Sequence, residues 1–239
     1  LGDIYQLGRH RLMCGDSTAT QDVQVLMNGK KAHACWTDPP YNVSIGTIKQ
    51  FKQREILNDS MPSADFKIFC EGFVKQIKEN VLGCVYIAGP PGADGRIMFG
   101  TADEHLHCST TIIWNKDQFT LGRGKYQSKY EPIWFGWVED GTRFTNDRTL
   151  TNVWDIPRPK KSELHPTMKP LELITRSLEH STLRTDIVLD LFGGSGSTLI
   201  ACEQLNRTCY MMELDPKYCD VIIKRWEEFT GQKAELLDK

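Results

Sequence analysis

No hydrophobic run in this 239-residue chain approaches the roughly 20 residues that a membrane-crossing helix needs. The N-terminus also has no basic segment followed by an apolar one. We therefore expect a soluble, intracellular protein with no membrane partner. An excess of basic charge is missing too: 29 Lys and Arg stand against 31 Asp and Glu, a net charge of −2, so any surface for a polyanion must be local. The eight cysteines, Cys14, Cys35, Cys70, Cys84, Cys108, Cys202, Cys209 and Cys219, include no pair at the spacing of a zinc knuckle or a redox motif. Most lie inside apolar runs and read as small buried hydrophobes in a reducing compartment. The cluster His105-Leu106-His107-Cys108 has no second ligand pair at metal spacing, so no metal is expected. Repeats and low-complexity tracts are absent, and 40% hydrophobic with 25% charged residues suits one globular domain with insertions.

What is present centres on Thr37-Asp38-Pro39-Pro40-Tyr41, directly after the apolar run Ala34-Cys35-Trp36, where a buried strand should end. Two successive prolines remove two N–H donors and pin φ, so the carbonyls of Asp38 and Pro39 can face a ligand without an internal partner. A carboxylate, a carbonyl and the aromatic face of Tyr41 suit a planar base with an exocyclic amine, whose two N–H groups need acceptors and whose ring needs a stacking surface. A plain Pro-rich turn is the simpler alternative.

Along the chain, short strands are expected over Asp3 to Leu7 and His10 to Cys14, then a helix from Thr20 to Met27 and the strand into Asp38. From Asn42 to Met61 periodicity disappears, as in a lid or binding loop, with Lys49, Lys52 and Arg54 around Phe51. Ser63 is placed to cap a helix whose Phe66, Phe69, Phe73 and Ile77 form a core stripe. Strands follow at Gly83 to Ala88, Ser109 to Trp114 (ending in Asn115 and Lys116) and Tyr130 to Trp137. Asp117 to Leu164 reads as an insertion carrying Arg123, Lys125, Arg158 and Lys160. The segment His165-Pro166-Thr167-Met168-Lys169-Pro170 should open a helix to about His180, and Pro216 a last helix to about Thr230.

Between them lie a strand over Ile187 to Leu191, the turn Phe192-Gly193-Gly194-Ser195-Gly196-Ser197-Thr198, a helix, and a strand ending in Glu213. An acidic residue about twenty positions after a glycine turn is the arrangement that binds an adenosine-type cofactor, its carboxylate accepting from the ribose hydroxyls. No Lys follows the last glycine, which argues against a P-loop, and Leu199 stands where a nicotinamide fingerprint needs a small residue. S-adenosyl-L-methionine is the better fit: Asp190 could meet its ammonium, and Lys169 or a helix N-terminus its carboxylate.

Asp38-Pro39-Pro40-Tyr41, Phe192-Gly193-Gly194-Ser195-Gly196 and Glu213 together resemble the DNA amino-methyltransferases, which methylate adenine N6 or cytosine N4. Their order is similar to that of the permuted β class. Gly15-Asp16, Trp114-Asn115-Lys116 and His165 to Pro170 match further blocks, so the resemblance covers nearly the whole chain. It implies a Rossmann-like α/β fold: a seven-stranded, mostly parallel sheet with one antiparallel strand, helices on both faces and a small target-recognition insertion. The parts would be a catalytic half over 1–116, the insertion over 117–164 and a cofactor half over 165–239. It also implies a site-specific adenine methyltransferase of the restriction-modification kind, acting on double-stranded DNA in a bacterial or phage-infected cytoplasm.

By the same resemblance Asp38, Pro39, Pro40 and Tyr41 act on the flipped base. Asp16 lies near the cofactor adenine, Glu213 at the ribose, Phe192, Gly193, Gly194, Ser195, Gly196 and Ser197 around the methionine moiety, and Thr167 and Lys169 at its tail, with Asp38 also at the cofactor. Milder readings make Asp16 a turn residue, Lys169 a solvated helix start and Asp190 a helix cap. A ParB-like domain sometimes precedes such a segment in this family, which the start at Leu1 would suit, and a homodimer is left open. The alternatives are cytosine N4 or an RNA adenine as target, a non-catalytic cofactor- and DNA-binding subunit and, more distantly, a nicotinamide oxidoreductase.

Overall fold

In the computed structural model the described residues are 1–42, 59–121, 125–139, 147, 149–159 and 168–237. The chain begins with a hairpin, β1 (Ile4–Leu7) and β2 (His10–Cys14), turning at Gly8, whose φ of 57° suits a residue without Cβ. There follow α1 (Thr20–Met27), β3 (Ala32–Thr37), α2 (Ser63–Asn80), β4 (Val81–Ala88), α3 (Ala93–His105), β5 (His107–Thr120), β6 (Ser128–Trp137) and β7 (Val153–Asp155). The remainder is α4 (Leu171–Ser181), β8 (Ile187–Asp190), α5 (Ser197–Gln204), β9 (Thr208–Glu213), α6 (Pro216–Thr230) and β10 (Glu235–Leu237).

All ten strands join one sheet in the order β10-β1-β2-β9-β8-β3-β4-β6-β5-β7. The Rossmann-like class holds, but the expected seven strands become ten, and two strands, β1 and β6, run against the others. The additions are edge strands: β1 and β10 extend one side, and β7 pairs in parallel with β5 on the other. Three-residue strands such as β7 and β10 carry too little pattern to be read from sequence. Both arms of the β5–β6 hairpin are longer than expected. The boundary drawn at residue 117 falls inside β5, and Asn115 and Lys116 lie within the strand.

Two apolar layers cover the sheet. Val23 and Leu26 of α1, Phe66, Phe73 and Ile77 of α2 and Met98 of α3 are buried on one face; Leu173 and Leu178 of α4, Leu199 of α5, and Ile222 and Trp226 of α6 are buried on the other. The Phe66 to Ile77 stripe is core as its spacing requires, whereas Ser63 is the first helical residue and Pro62 occupies the cap, with no side-chain hydrogen bond there. Asp215 does cap α6, accepting from Lys217 N at 2.9 Å ahead of Pro216. No helix among the described residues is long and apolar enough to cross a membrane.

A buried polar hub ties β2 to α5, α6 and β9. His10 accepts from Cys209 N through Nδ1 at 2.9 Å and meets Glu203 Oε2 through Nε2 at 2.7 Å. Glu203 also accepts from Arg9 and from Trp226 Nε1. Burial outweighs the Glu203 carboxylate and pushes the imidazole pKa down to about 4, so the ring is neutral with its proton on Nε2.

The central strands β2-β9-β8-β3-β4 are parallel. From β8 the chain steps to β9 through α5 in one direction, and from β3 to β4 through α2 in the other. The switch point therefore lies between β8 and β3, where the loops diverge and leave a crevice at the carboxyl ends of the strands. Thr37 ends β3 and Asp190 ends β8, and the Thr37 hydroxyl donates to Asp190 Oδ1 at 3.0 Å across that point.

Candidate active site

A cleft with about 1080 Å³ of empty space, counting its open mouth, lies over the switch point. Asp38, Pro39, Pro40 and Tyr41 line one part of it. Asp190, Phe192 to Ser195, Ser197 and Glu213 line the rest, and Met168 and Lys169 form a wall beside Asp38. The two long motifs singled out in the sequence, more than 150 residues apart, thus share one cavity.

The glycine turn packs close on β9 and α6 and needs left-handed backbone. A Cβ on Gly193 would meet the Met211 side chain at 2.9 Å, and Gly194 and Gly196 have φ of 51° and 78°. Glu213 fixes the turn from the neighbouring strand: Oε2 accepts from Gly194 N at 2.7 Å and Oε1 from Asp215 N at 2.9 Å. Burial pushes its carboxyl above the usual range, and these N–H donors oppose the shift. Arg225 of α6 donates to the Ser195 carbonyl at 2.8 Å and reaches the hydroxyls of Ser195 and Ser197. Phe192 packs on Phe69 and Phe73 of α2, with ring centroids at 5.7 and 5.3 Å.

Asp190 is buried, accepts from Thr37 and from Phe192 N, and is pushed up to about 7 by burial, with the nearby Asp38 charge adding to the effect. Asp16, in contrast, is exposed. Its carboxylate accepts from Thr18 N and Oγ1, both at 2.8 Å, which is the turn reading of this residue, while Gly15 and Ser17 beside it line the cleft.

Around Asp38 the structure assembles a charge network. Asp38 Oδ2 accepts from Lys169 Nζ at 2.6 Å, whereas Oδ1 is buried and has no hydrogen-bond partner among the described residues. The Lys169 side chain is only 6% exposed, so it is no solvated helix start; its Nζ also lies 3.3 Å from Glu131 Oε2 and 5.0 Å from the Tyr41 ring centroid. Glu131, on β6, takes Lys116 Nζ of β5 on Oε1 and the Tyr41 hydroxyl, at 3.2 Å, on Oε2. Burial works to raise Glu131, but Lys169 and Lys116 together hold it down at about 2. Burial likewise raises Asp38, and here the opposing Lys169 is outweighed. Lys169 keeps its proton because Asp38 and Glu131 overcome its burial.

Glu131, Lys116 and Arg225 were not identified as site residues from sequence. Glu131 had one weak signal, a carboxylate opening the apolar run Pro132 to Trp137. Lys116 stood in a matched block without a role, and Arg225 lies on an ordinary amphipathic helix with nothing to mark it. Of the basic residues expected to meet DNA, Lys125 and Arg158 are exposed. Lys49, Lys52, Arg54, Arg123 and Lys160 lie outside the described residues, as do Thr167 and most of the Asn42 to Met61 loop.

The fold and cleft define a Rossmann-like α/β protein with a cofactor-type glycine turn and a second polar centre at the same sheet edge. A family model described as DNA methylase matches residues 136–225. DNA adenine methyltransferase YhdJ of Escherichia coli K12 is 32% identical over 163 residues, covering 54% of this chain and 55% of YhdJ. The crystal structure of the M1.HpyAVI–SAM complex superposes with a TM-score of 0.65 at 23% identity, covering 90% of this chain and 97% of that one. The cytosine-N4-specific PvuII DNA methyltransferase superposes with a TM-score of 0.70 at 15% identity, covering 94% and 91%. The alignments span 31% to 49% of the first three curated relatives. Over these spans the chain is similar to DNA amino-methyltransferases, and it shares the fold of the solved ones.

Proposed function

We propose that this chain transfers a methyl group from S-adenosyl-L-methionine to the exocyclic N6 of adenine in double-stranded DNA, with the target nucleotide flipped into the cleft. The observation that carries this reading is Asp38 Oδ1, a buried acceptor without a partner, next to Pro39 on the cleft wall. Leaving a buried carboxylate oxygen unsatisfied costs free energy unless a ligand supplies the donor, and an exocyclic amine is such a donor. YhdJ supports adenine by its name, and PvuII methyltransferase keeps cytosine N4 in view as the second reading.

The residues fit the cofactor. Gly193 and Gly194 line the cleft without side chains to fill it, Glu213 has lone pairs left for ribose hydroxyls, and Asp190 offers a carboxylate to an ammonium. When bound, the cofactor supplies an electrophilic methyl group on sulfur. The amine lone pair is delocalised into the base ring and is a poor nucleophile. Asp38 and the Pro39 carbonyl would accept its two N–H bonds in the geometry of a nitrogen becoming tetrahedral and would stabilise the positive charge that arrives there; the S–C bond would break as the N–C bond forms, and one N–H proton would then leave the nitrogen to Asp38 or water. Tyr41 would stack on the base and offset by about 1–3 kcal/mol the few kcal/mol that flipping costs. Transfer is direct, so none of the eight cysteines, seven of them buried, is needed as a nucleophile.

Arg123, Lys125, Arg158 and Lys160 of the 117–164 segment are proposed as DNA contacts with Lys49, Lys52 and Arg54, and the segment as the target-recognition element. Labelled cofactor incubated with unmethylated duplex DNA, followed by digestion to nucleosides, tests the reaction. Label in N6-methyladenine supports it, label in N4-methylcytosine replaces the base, and label absent from both, despite cofactor binding, overturns the reading.

A further inference from the structure

We propose that Glu131 is a positioning residue that sets the acceptor strength of Asp38 by dividing the charge of Lys169. The proposal rests on reading this site as the one that binds the amine. Asp38, Lys169, Glu131 and Lys116 form a chain of alternating charge at contact distances of 2.6, 3.3 and 2.5 Å, on four separate segments of the sequence. The two cations are nearly closed to water, with side chains 5% and 6% exposed, and the Asp38 and Glu131 side chains are 21% and 19% exposed. In such surroundings charges act on one another far more strongly than in solvent.

The chemistry needs this division. A carboxylate neutralised by a single ammonium is a weak partner for a nitrogen becoming positive, whereas one whose ammonium is shared with a second carboxylate keeps most of its negative character. Lys169 thus does two things: its bond to Oδ2 fixes the carboxylate so that Oδ1 is the open acceptor, and its sharing with Glu131 leaves that acceptor a stronger base than Lys169 alone would make it. Glu131 also holds the Tyr41 hydroxyl, so the same side chain anchors the proposed stacking ring. The charged and titratable groups around Asp38 are Lys169 ahead of α4, Tyr41 after β3, Glu131 on β6 and Asp190 at the end of β8, with Lys116 on β5 acting through Glu131.

The signs are opposite for the two ends of the chain. Removing the Glu131 charge exposes Asp38 to the whole of Lys169 and moves its titration to lower pH. Removing the Lys116 charge frees Glu131 and moves it to higher pH. The test is a carbon-13 carboxyl titration of the protein labelled at aspartate, with the Asp38 signal assigned by its loss in Asp38→Asn, and with transfer rates measured in parallel. Glu131→Gln should lower the Asp38 midpoint, and Lys116→Met should raise it, each by about half a unit or more. The double variant should fall between them. Transfer at saturating cofactor should drop about tenfold in Glu131→Gln, or about 1.4 kcal/mol, with cofactor affinity unchanged.

A purely structural Glu131 would lose rate without opposite pH shifts, and an Asp38 midpoint unmoved in both variants overturns the proposal. If Glu131→Gln does not fold, Lys116→Met carries the same test, because Glu131 keeps Lys169 in that variant. The titration needs no DNA. Shifts of the expected sign in a protein that transfers no methyl group would uphold the network and remove the functional reading, which separates the two failures.

Discussion

The two carboxylate oxygens of Asp38 stand in different situations: Oδ2 is held by Lys169 Nζ at 2.6 Å, and Oδ1 is buried without a partner among the described residues. One oxygen anchors the group and the other is available to a donor from outside the chain. Lys169 reaches this place from a segment 131 residues further along, so the proposed base-binding motif is completed by the second half of the chain.

The anchoring makes Lys169 important for folding as well as chemistry. Lys169→Met leaves Asp38 and Glu131 without their shared cation, and breaking a buried pair from one side costs about 3–5 kcal/mol. The lower end applies, because the Asp38 side chain is still 21% exposed. Denaturant unfolding should show this loss, and Asp38→Asn in the same background should recover part of it.

Glu213 holds Gly194 and Asp215 by their N–H groups and is proposed to hold the ribose. Glu213→Ala should weaken S-adenosyl-L-methionine binding by about 10- to 100-fold, since hydrogen bonds to a charged acceptor contribute about 1.5–3 kcal/mol. Titration calorimetry reads this directly, and an unchanged dissociation constant would remove Glu213 from the cofactor site.

Asp190 at about 7 gives cofactor binding a pH dependence. The free protein keeps this carboxyl protonated below about 7, and an arriving ammonium favours the ionised form. Binding should therefore release a proton, and affinity should rise between pH 6 and pH 7.5. Calorimetry in buffers of different ionisation enthalpy counts that proton, and Asp190→Asn should abolish the release.

His10 governs stability in a separate window. Its folded pKa of about 4 lies below the unfolded value of 6.5, so its contribution is fully present above 6.5 and is lost as pH falls toward 4. Protonating Nδ1 would set an N–H against Cys209 N. The loss should reach roughly 3 kcal/mol across the window. Unfolding free energies from pH 7 to pH 5 should fall in the wild-type protein and stay flatter in His10→Gln.

The β5–β6 hairpin ends in exposed Phe119, Leu121 and Tyr126, the last 98% exposed, with Lys125 and Lys129 nearby. Neutralising both lysines should weaken DNA binding and reduce the slope of log K against log salt by about 1.8, or 0.9 per phosphate contact, while leaving cofactor affinity intact. An unchanged slope would place this hairpin away from the DNA.

Residues 187 to 230 were the most legible part of the sequence. A buried strand, a glycine turn, a helix, an acidic strand end and Pro216 each leave a local mark, and the elements fall within a residue or so of their expected bounds. The motif at Asp38 was legible for the same reason, since two prolines after an apolar run restrict the backbone directly. Glu131 was hidden because its meaning comes from Asp38, Tyr41, Lys116 and Lys169, which only the sheet brings together. The length of β5 was hidden because beyond Trp114 the strand has no apolar pattern: Lys116 is buried as a charge, and the hairpin is exposed from Asp117. Ser63 misled because Pro62 already has the extended geometry of a cap, which leaves the serine inside the helix.

The most direct test of the account compares single-turnover methyl transfer to duplex DNA by the wild-type protein and by Asp38→Asn, with cofactor affinity measured for both. Asparagine keeps the shape and removes the charge. Transfer into N6-methyladenine should fall by about 10²–10³-fold, the cost of losing one preorganised electrostatic contact, while cofactor affinity stays within about twofold. Transfer at an undiminished rate in the variant would contradict the assignment of Asp38 Oδ1 as the acceptor for the reacting amine.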